Sequence, residues 1–167
     1  MSASFGYKSE KAIKMLCEYM PDSENLIKPT LFHCIRVGVY LYNNEYPEDI
    51  IIAGIMHDAL EDTHLTEKEL TEAFNQNVTD MVKANTKDKS IKDQDQRIKE
   101  LIRRCALNGE NALIVKAADI LDNWNYYNKI DDAAEMDYCR KNALALFEAL
   151  PENYKAPIFE KIKRILN

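Results

Sequence analysis

The stretch Ile50-Ile51-Ile52-Ala53-Gly54-Ile55-Met56 is apolar nearly all round and runs straight into His57 and Asp58. A helix with no polar face has to lie at the centre of a protein, with other helices packed around it. Pro47 supplies its start. Asn111 to Asn128 is a second strongly apolar helix, rich in Ala, Leu, Ile and Val. The other segments are amphipathic and read as helices that cover these two. Ser9 to Tyr19 carries Ala12, Ile13, Leu16 and Cys17 on one face, and Pro21-Asp22 ends it. Thr30 caps a helix whose inner face carries His33, Val37, Tyr40 and Leu41. Thr66 and Glu69 have the form of a capping box that opens a helix toward Phe74. Helices follow over 78–85, 96–106 (stopped by Asn108-Gly109), 133–149 and 154–166, with Pro151 between the last two. Lys87 to Gln94 is a polar loop. Only four glycines and five prolines punctuate 167 residues, and no segment alternates as a strand does. The expectation is an all-α, single-domain helical bundle.

A net charge of −6 argues against a broad nucleic-acid-binding face. It is compatible with a small phosphorylated ligand, because a bound cation supplies positive charge locally. The four cysteines, Cys17, Cys34, Cys105 and Cys139, form no CxxC pair and read as small core residues in a reducing compartment. No signal core and no run of membrane-spanning length is present, so a cytoplasmic protein without a membrane partner is expected. The oligomeric state is left open.

The chemistry sits at the ends of the apolar helices. His57-Asp58 closes the most apolar one, where a carboxylate is costly unless it is paired or bound to a cation. Glu61 and Asp62 follow one turn later and stack over His57 and Asp58 along one flank of a single helix. Three carboxylates packed together call for something positive. Asp119 lies in the other apolar run, with Asn123 on the same face, and His33 comes from a third helix. His33, His57, Asp58 and Asp119 together offer nitrogen and oxygen ligands for one divalent metal ion, Mn²⁺, Fe²⁺ or Zn²⁺ rather than Ca²⁺. Such an ion acidifies water and draws charge off a phosphate. Glu61 and Asp62 are then placed to orient that water or accept its proton. His64, in a turn before Thr66, reads as a surface residue. Arg36, one turn after His33, either faces the site or covers a helix end.

The order His33, His57-Asp58, Asp119 resembles the H…HD…D signature of the HD superfamily. More specifically, the chain resembles the hydrolase domain of RelA/SpoT-type alarmone enzymes and their small stand-alone relatives. The likeness rests on KPTLFH at 28–33, HDALEDT at 57–63, VKANTK at 82–87 and KAADILDN at 116–123, and runs from about residue 26 to 128. It implies one HD-type phosphohydrolase domain over 1–167, with the helices of 131–167 packed on its core. It implies a Mn²⁺ ion on the four ligands, Glu61 and Asp62 serving hydrolysis, and Asn123 touching the nucleotide. The reaction implied is release of the 3′-pyrophosphate of guanosine tetra- or pentaphosphate as pyrophosphate. Lys28, Arg36, Lys87 and Lys116 are the candidates for phosphate charge, and Tyr138 and Arg140 for late substrate contacts. The chain departs from the family where basic residues precede the first histidine, since it has Glu24 and Asn25. It departs again at Ile120 and Asn125, where the family often carries Arg or Lys. Two alternatives therefore stand beside the alarmone reading: an HD phosphohydrolase acting on another nucleotide (monoester, triphosphate or cyclic), or a nucleotide-binding HD module without catalysis.

Overall fold

A computed structural model of the protein describes residues 6–21 and 28–166. Glu24 and Asn25 lie outside the described residues. Among those described there are ten helices and no strand, so the all-α expectation holds. They are α1 (Tyr7–Tyr19), α2 (Thr30–Asn43), α3 (Glu48–Met56), α4 (Ala59–Asp62), α5 (Glu67–Ala73), α6 (Gln76–Asn85), α7 (Gln94–Asn108), α8 (Glu110–Ile130), α9 (Ala133–Ala149) and α10 (Pro157–Leu166). None is long and apolar enough to cross a membrane.

The two apolar helices form the centre. Every residue from Ile50 to Met56 in α3 and from Ala112 to Ile120 in α8 is buried. Helix α2 packs on both, α1 lies on α3, α6 fits between α3, α7 and α8, and α9 covers α7 and α8. Helix α10 rests on α8 and α9.

Helices α2 and α3 cross at two glycines. A methyl group on Gly38 would come to 2.3 Å from Ile55 Cγ1, and one on Gly54 to 2.3 Å from Leu41 Cδ1. Each glycine leaves the space that a large side chain of the facing helix fills. His33 precedes Gly38 and His57 follows Gly54, so both rings emerge at the same end of this crossing.

Four local expectations are corrected. Thr30 is the first helical residue of α2 rather than its cap; Pro29 takes the cap position, and its carbonyl accepts the His33 N–H at 2.9 Å. Cys17 is exposed, whereas Cys34, Cys105 and Cys139 are buried. At about 100° per residue, position 17 falls about 140° from position 12, off the narrow stripe of Ala12 and Leu16. The last helix begins at Pro157, because Tyr154 sits in a turn bonded to Pro151 and the carboxylate of Glu110 takes the Lys155 and Ala156 N–H groups at 3.0 and 3.1 Å. Finally, the helix does not continue through the His57-Asp58 doublet. The two residues form a turn between α3 and α4. His57 Nδ1 donates to the Gly54 carbonyl at 2.8 Å and so competes for the acceptor that the next backbone N–H would use.

The expected capping box is present: Thr66 Oγ1 accepts the Glu69 N–H at 3.2 Å and Glu69 Oε2 accepts the Thr66 N–H at 2.9 Å. The polar segment after Lys87 is a loop, closed by Asp93, which caps α7.

Candidate metal and phosphate site

Four side chains from three parts of the fold meet at the end of the α2–α3 crossing. His33 comes from α2, His57 and Asp58 from the turn after α3, and Asp119 from α8. All four are buried. The Nε2 atoms of His33 and His57 are 3.2 Å apart. Asp119 Oδ1 lies 3.1 Å from His33 Nε2 and 3.6 Å from His57 Nε2. Asp58 Oδ1 lies 3.3 Å from His57 Nε2, and its Oδ2 lies 3.8 Å from His33 Nε2.

The outer nitrogens of both rings are already engaged. His57 Nδ1 faces a backbone carbonyl and His33 Nδ1 faces the Asp122 carboxylate at 2.7 Å. Neither partner has a hydrogen to give, so each Nδ1 carries a proton and each Nε2 is left facing inward, to meet a cation or a second proton. Two ring nitrogens and two carboxylates thus converge on one point, an arrangement that repels itself unless positive charge lies between them. Ligands about 2.1 Å from one ion sit about 3 Å from each other at right angles, which matches these separations. His33, His57 and Asp58 form a group that can hold a metal ion. Asp119 Oδ1 approaches both imidazoles from the α8 side.

The charges follow from this crowding. Burial alone would push the His57 pKa down, but the Asp58 charge and hydrogen bonds to Asp119 and Asp58 carry it up to about 10. Burial would raise both aspartates, yet His57 and then Lys28 and Lys87 hold Asp58 well below the usual carboxylate range. Lys116, with help from the two imidazoles, does the same for Asp119.

A narrow pocket opens beside the cluster. Lys28, Lys87 and Lys116 line it together with Asn123 and Tyr138. Lys116 is buried in α8, and its Nζ donates to Asp119 Oδ2 at 2.8 Å. Asn123 uses both ends of its amide: Nδ2 donates to Asp119 Oδ1 at 2.6 Å, and Oδ1 accepts from Lys28 Nζ at 2.7 Å. The wall includes buried Ile120, an apolar side chain among the charges.

Glu61 and Asp62 lie on the short α4 and do not line this pocket. Glu61 is clamped by Lys87, whose N–H donates to Oε2 and whose Nζ donates to Oε1, both at 3.1 Å. Lys89 adds a bond to the Glu61 carbonyl at 2.9 Å, so the loop after α6 is tied to α4. Asp62 is partly exposed, and burial, then the charges of Asp58 and Glu61, push its pKa up.

Arg36 and Arg140 stand apart from the pocket. Arg36 gives Nε and Nη2 to Asp122 at 2.9 and 2.7 Å, and Arg140 lies over the Trp124 ring at 4.9 Å. Neither residue is among those that line the pocket. Arg36 instead holds Asp122, which backs His33. His64 is exposed and packs on the Tyr19 ring, centroids 5.0 Å apart, as a surface residue does.

Two residues escaped the reading of the sequence. Asp122 backs His33, and its signal was its place one turn after Asp119, beside the more familiar Asn123. Asn142 lines the pocket from α9. It is buried, its Nδ2 donates to the Tyr138 carbonyl at 2.8 Å, and its Oδ1 has no partner among the described residues. An amide between Cys139, Ala143 and Leu146 on the inner stripe of that helix was the available sign.

Comparison with known proteins bears on the same region. A Mycoplasma pneumoniae protein named "Probable guanosine-3′,5′-bis(diphosphate) 3′-pyrophosphohydrolase" is 33% identical over 107 residues, covering 58% of this chain and 15% of its own length. A guanosine-3′,5′-bis(diphosphate) 3′-pyrophosphohydrolase of Drosophila melanogaster is 32% identical over 97 residues, covering 57% of this chain and 54% of its own. The chain thus spans only a small part of the first of these and about half of the second. A solved metazoan ortholog of SpoT, described as hydrolysing ppGpp, superposes with a TM-score of 0.73 at 22% identity over 99% of this chain and 95% of that one. A Listeria monocytogenes structure gives 0.67, also at 22% identity, over 80% and 90%. These structural likenesses establish the fold. The HD domain profile matches residues 12–153, a span that contains both inward-facing imidazoles, both aspartates and the whole pocket lining, so the chain belongs to the HD domain family.

Proposed function

We propose that the protein is a divalent-metal-dependent phosphohydrolase, and that it removes the 3′-pyrophosphate of guanosine tetra- or pentaphosphate. One observation carries the reading: four metal-ligand side chains, His33, His57, Asp58 and Asp119, meet beside a pocket that three lysines line. The names of the Mycoplasma and Drosophila relatives support the substrate.

The four donors would hold the ion, Mn²⁺ in this proposal, with Fe²⁺ or Zn²⁺ as the other ions that suit the set. Bound there, it would supply Lewis acidity toward a phosphate oxygen and acidify water. The remaining work belongs to the chain. Lys28, Lys87 and Lys116 balance the charge of the pyrophosphoryl group. Asn123 sets the position of Lys28 while bracing Asp119. Tyr138 borders the same space from α9. The free volume is about 30 Å³, room for roughly two waters, so the nucleoside stays at the mouth. Glu61, with both carboxylate oxygens taken by Lys87, orients the α4 turn. Asp62, with its raised pKa and open outer side, accepts the proton of the attacking water.

One observation favours a second reading. Ile120 presents an apolar wall where the related enzymes often place a base, which fits a substrate with fewer charges than an alarmone. A nucleotide panel assayed with Mn²⁺, with products identified, decides between them. Pyrophosphate released from guanosine tetraphosphate supports the first reading. Orthophosphate from ordinary nucleotides with no pyrophosphate from the alarmone replaces it with the second. Binding without any product under every metal leaves a non-catalytic module.

A further inference from the structure

Both imidazoles at the site need their Nε2 lone pairs turned inward, but the fold achieves this by two different devices. His57 is fixed by the main chain, because its Nδ1 donates to the Gly54 carbonyl at 2.8 Å. His33 has no such carbonyl. Its Nδ1 donates to Asp122 Oδ2 at 2.7 Å.

Asp122 is itself held from the side. Arg36 Nε reaches Oδ1 at 2.9 Å and Nη2 reaches Oδ2 at 2.7 Å, a fork that leaves the carboxylate little freedom to rotate. The guanidinium lies over the Phe32 ring at 4.7 Å and near the Tyr126 ring at 5.6 Å. His33 and Arg36 are three apart on α2, as Asp119 and Asp122 are on α8, so the two helices present matching pairs on facing sides. Asp119 meets the inner nitrogen of His33 and Asp122 the outer one.

We propose that Asp122, anchored by Arg36, is a positioning residue for His33: it fixes the ring's tautomer and direction so that Nε2 faces the metal site. The proposal rests on the reading of His33 as a ligand. An acceptor on the far nitrogen of a ligating histidine orients the ring and raises its basicity. A neutral imidazole whose Nδ1 is not held as N–H can move that proton to Nε2 and close the position to a cation. A plain strut between α2 and α8 would need none of this and would stabilise the fold only.

The test uses Asp122→Asn, which keeps the size and the hydrogen-bonding plane but can turn an N–H toward His33, and Asp122→Ala as a second variant. Two quantities are read: histidine ¹⁵N chemical shifts in the metal-free protein, and Mn²⁺ affinity by titration calorimetry. In the parent, His33 shows protonated Nδ1. In Asp122→Asn its signals move toward the Nε2–H form, and Mn²⁺ affinity falls by about 10–100-fold. His57, held by the main chain, keeps its signals and serves as the internal control. Unchanged His33 shifts with unchanged Mn²⁺ affinity in a variant that only melts earlier would overturn the proposal. If the parent itself takes up no divalent ion, the metal reading of the site fails; the His33 shifts still decide whether Asp122 positions the ring.

Discussion

The Nε2 atoms of His33 and His57 face each other across 3.2 Å, and neither ring can turn away because its other nitrogen is engaged, one by Asp122 and one by Gly54. Something positive has to sit at this junction. Without a metal the proton of His57 fills that role, which is why Asp58 and Asp119 overcome burial and lift its pKa to about 10.

A pH signature follows. A raised folded pKa contributes stability that is complete below the unfolded value, about 6.5, and is lost as pH climbs through about 10. The depressed carboxylates act with the opposite sign: their contribution is present above about 4 and is lost as pH falls through the lowered values. The metal-free protein should therefore lose melting temperature between neutral pH and pH about 10, while Mn²⁺ binding strengthens over the same interval as it displaces the His57 proton. Calorimetric titration at neutral pH in buffers of different ionisation enthalpy should register proton release. Binding with no proton release would contradict a protonated His57.

The Lys87 clamp on Glu61 gives a second expectation. The Glu61 side chain is only 7% exposed, so Lys87→Met leaves a nearly buried carboxylate without its cation. A loss of about 1–3 kcal/mol is expected from denaturant unfolding, together with a large drop in turnover. Adding Glu61→Gln to Lys87→Met should recover most of the stability and none of the turnover. Independent, additive losses in the double variant would show that the two side chains do not act as a pair.

Helix crossing sets a third. Gly38→Ala pushes a methyl group into Ile55 Cγ1, an atom near the stem of a branched side chain, whereas Gly54→Ala meets the tip of Leu41. Gly38→Ala should cost about 1–3 kcal/mol and weaken metal affinity by spreading His33 from His57. Gly54→Ala should cost less in both readouts. The reverse order in unfolding and metal titration would argue against this crossing as the gauge of the site.

Lys116→Met isolates the buried cation of α8. Its ammonium is 2.8 Å from Asp119 Oδ2, with a pKa that burial pushes down and Asp119 more than restores, to about 12. Removing it strands a buried charge, a loss of about 3 kcal/mol. Metal binding should offset part of that loss, so the deficit should be larger in metal-free unfolding than in the presence of Mn²⁺. Equal deficits would separate Lys116 from the metal site.

Much of this was legible in the sequence because it depends on composition along a helix. The apolar run of Ile50 to Met56 dictates a central helix, the Thr66–Glu69 box is a local contact, and His33, His57, Asp58 and Asp119 all end up buried. What stayed hidden depends on side chains competing with the backbone or meeting across the fold. No periodicity reveals that His57 takes the Gly54 carbonyl and breaks the helix before Glu61. Arg36 read as a possible phosphate contact because its partner, Asp122, lies 86 residues away. The Asn142 oxygen, unpartnered among the described residues, becomes visible only once α9 is laid against α8.

Mn²⁺ loading of the metal-stripped protein, followed by electron paramagnetic resonance, reports on the metal site itself. One tightly bound Mn²⁺ per chain is expected, with hyperfine coupling to two imidazole nitrogens, one coupling lost in His33→Ala and the other in His57→Ala. A protein that binds no stoichiometric Mn²⁺, or binds it with coupling that both variants retain, would contradict the metal reading of the site.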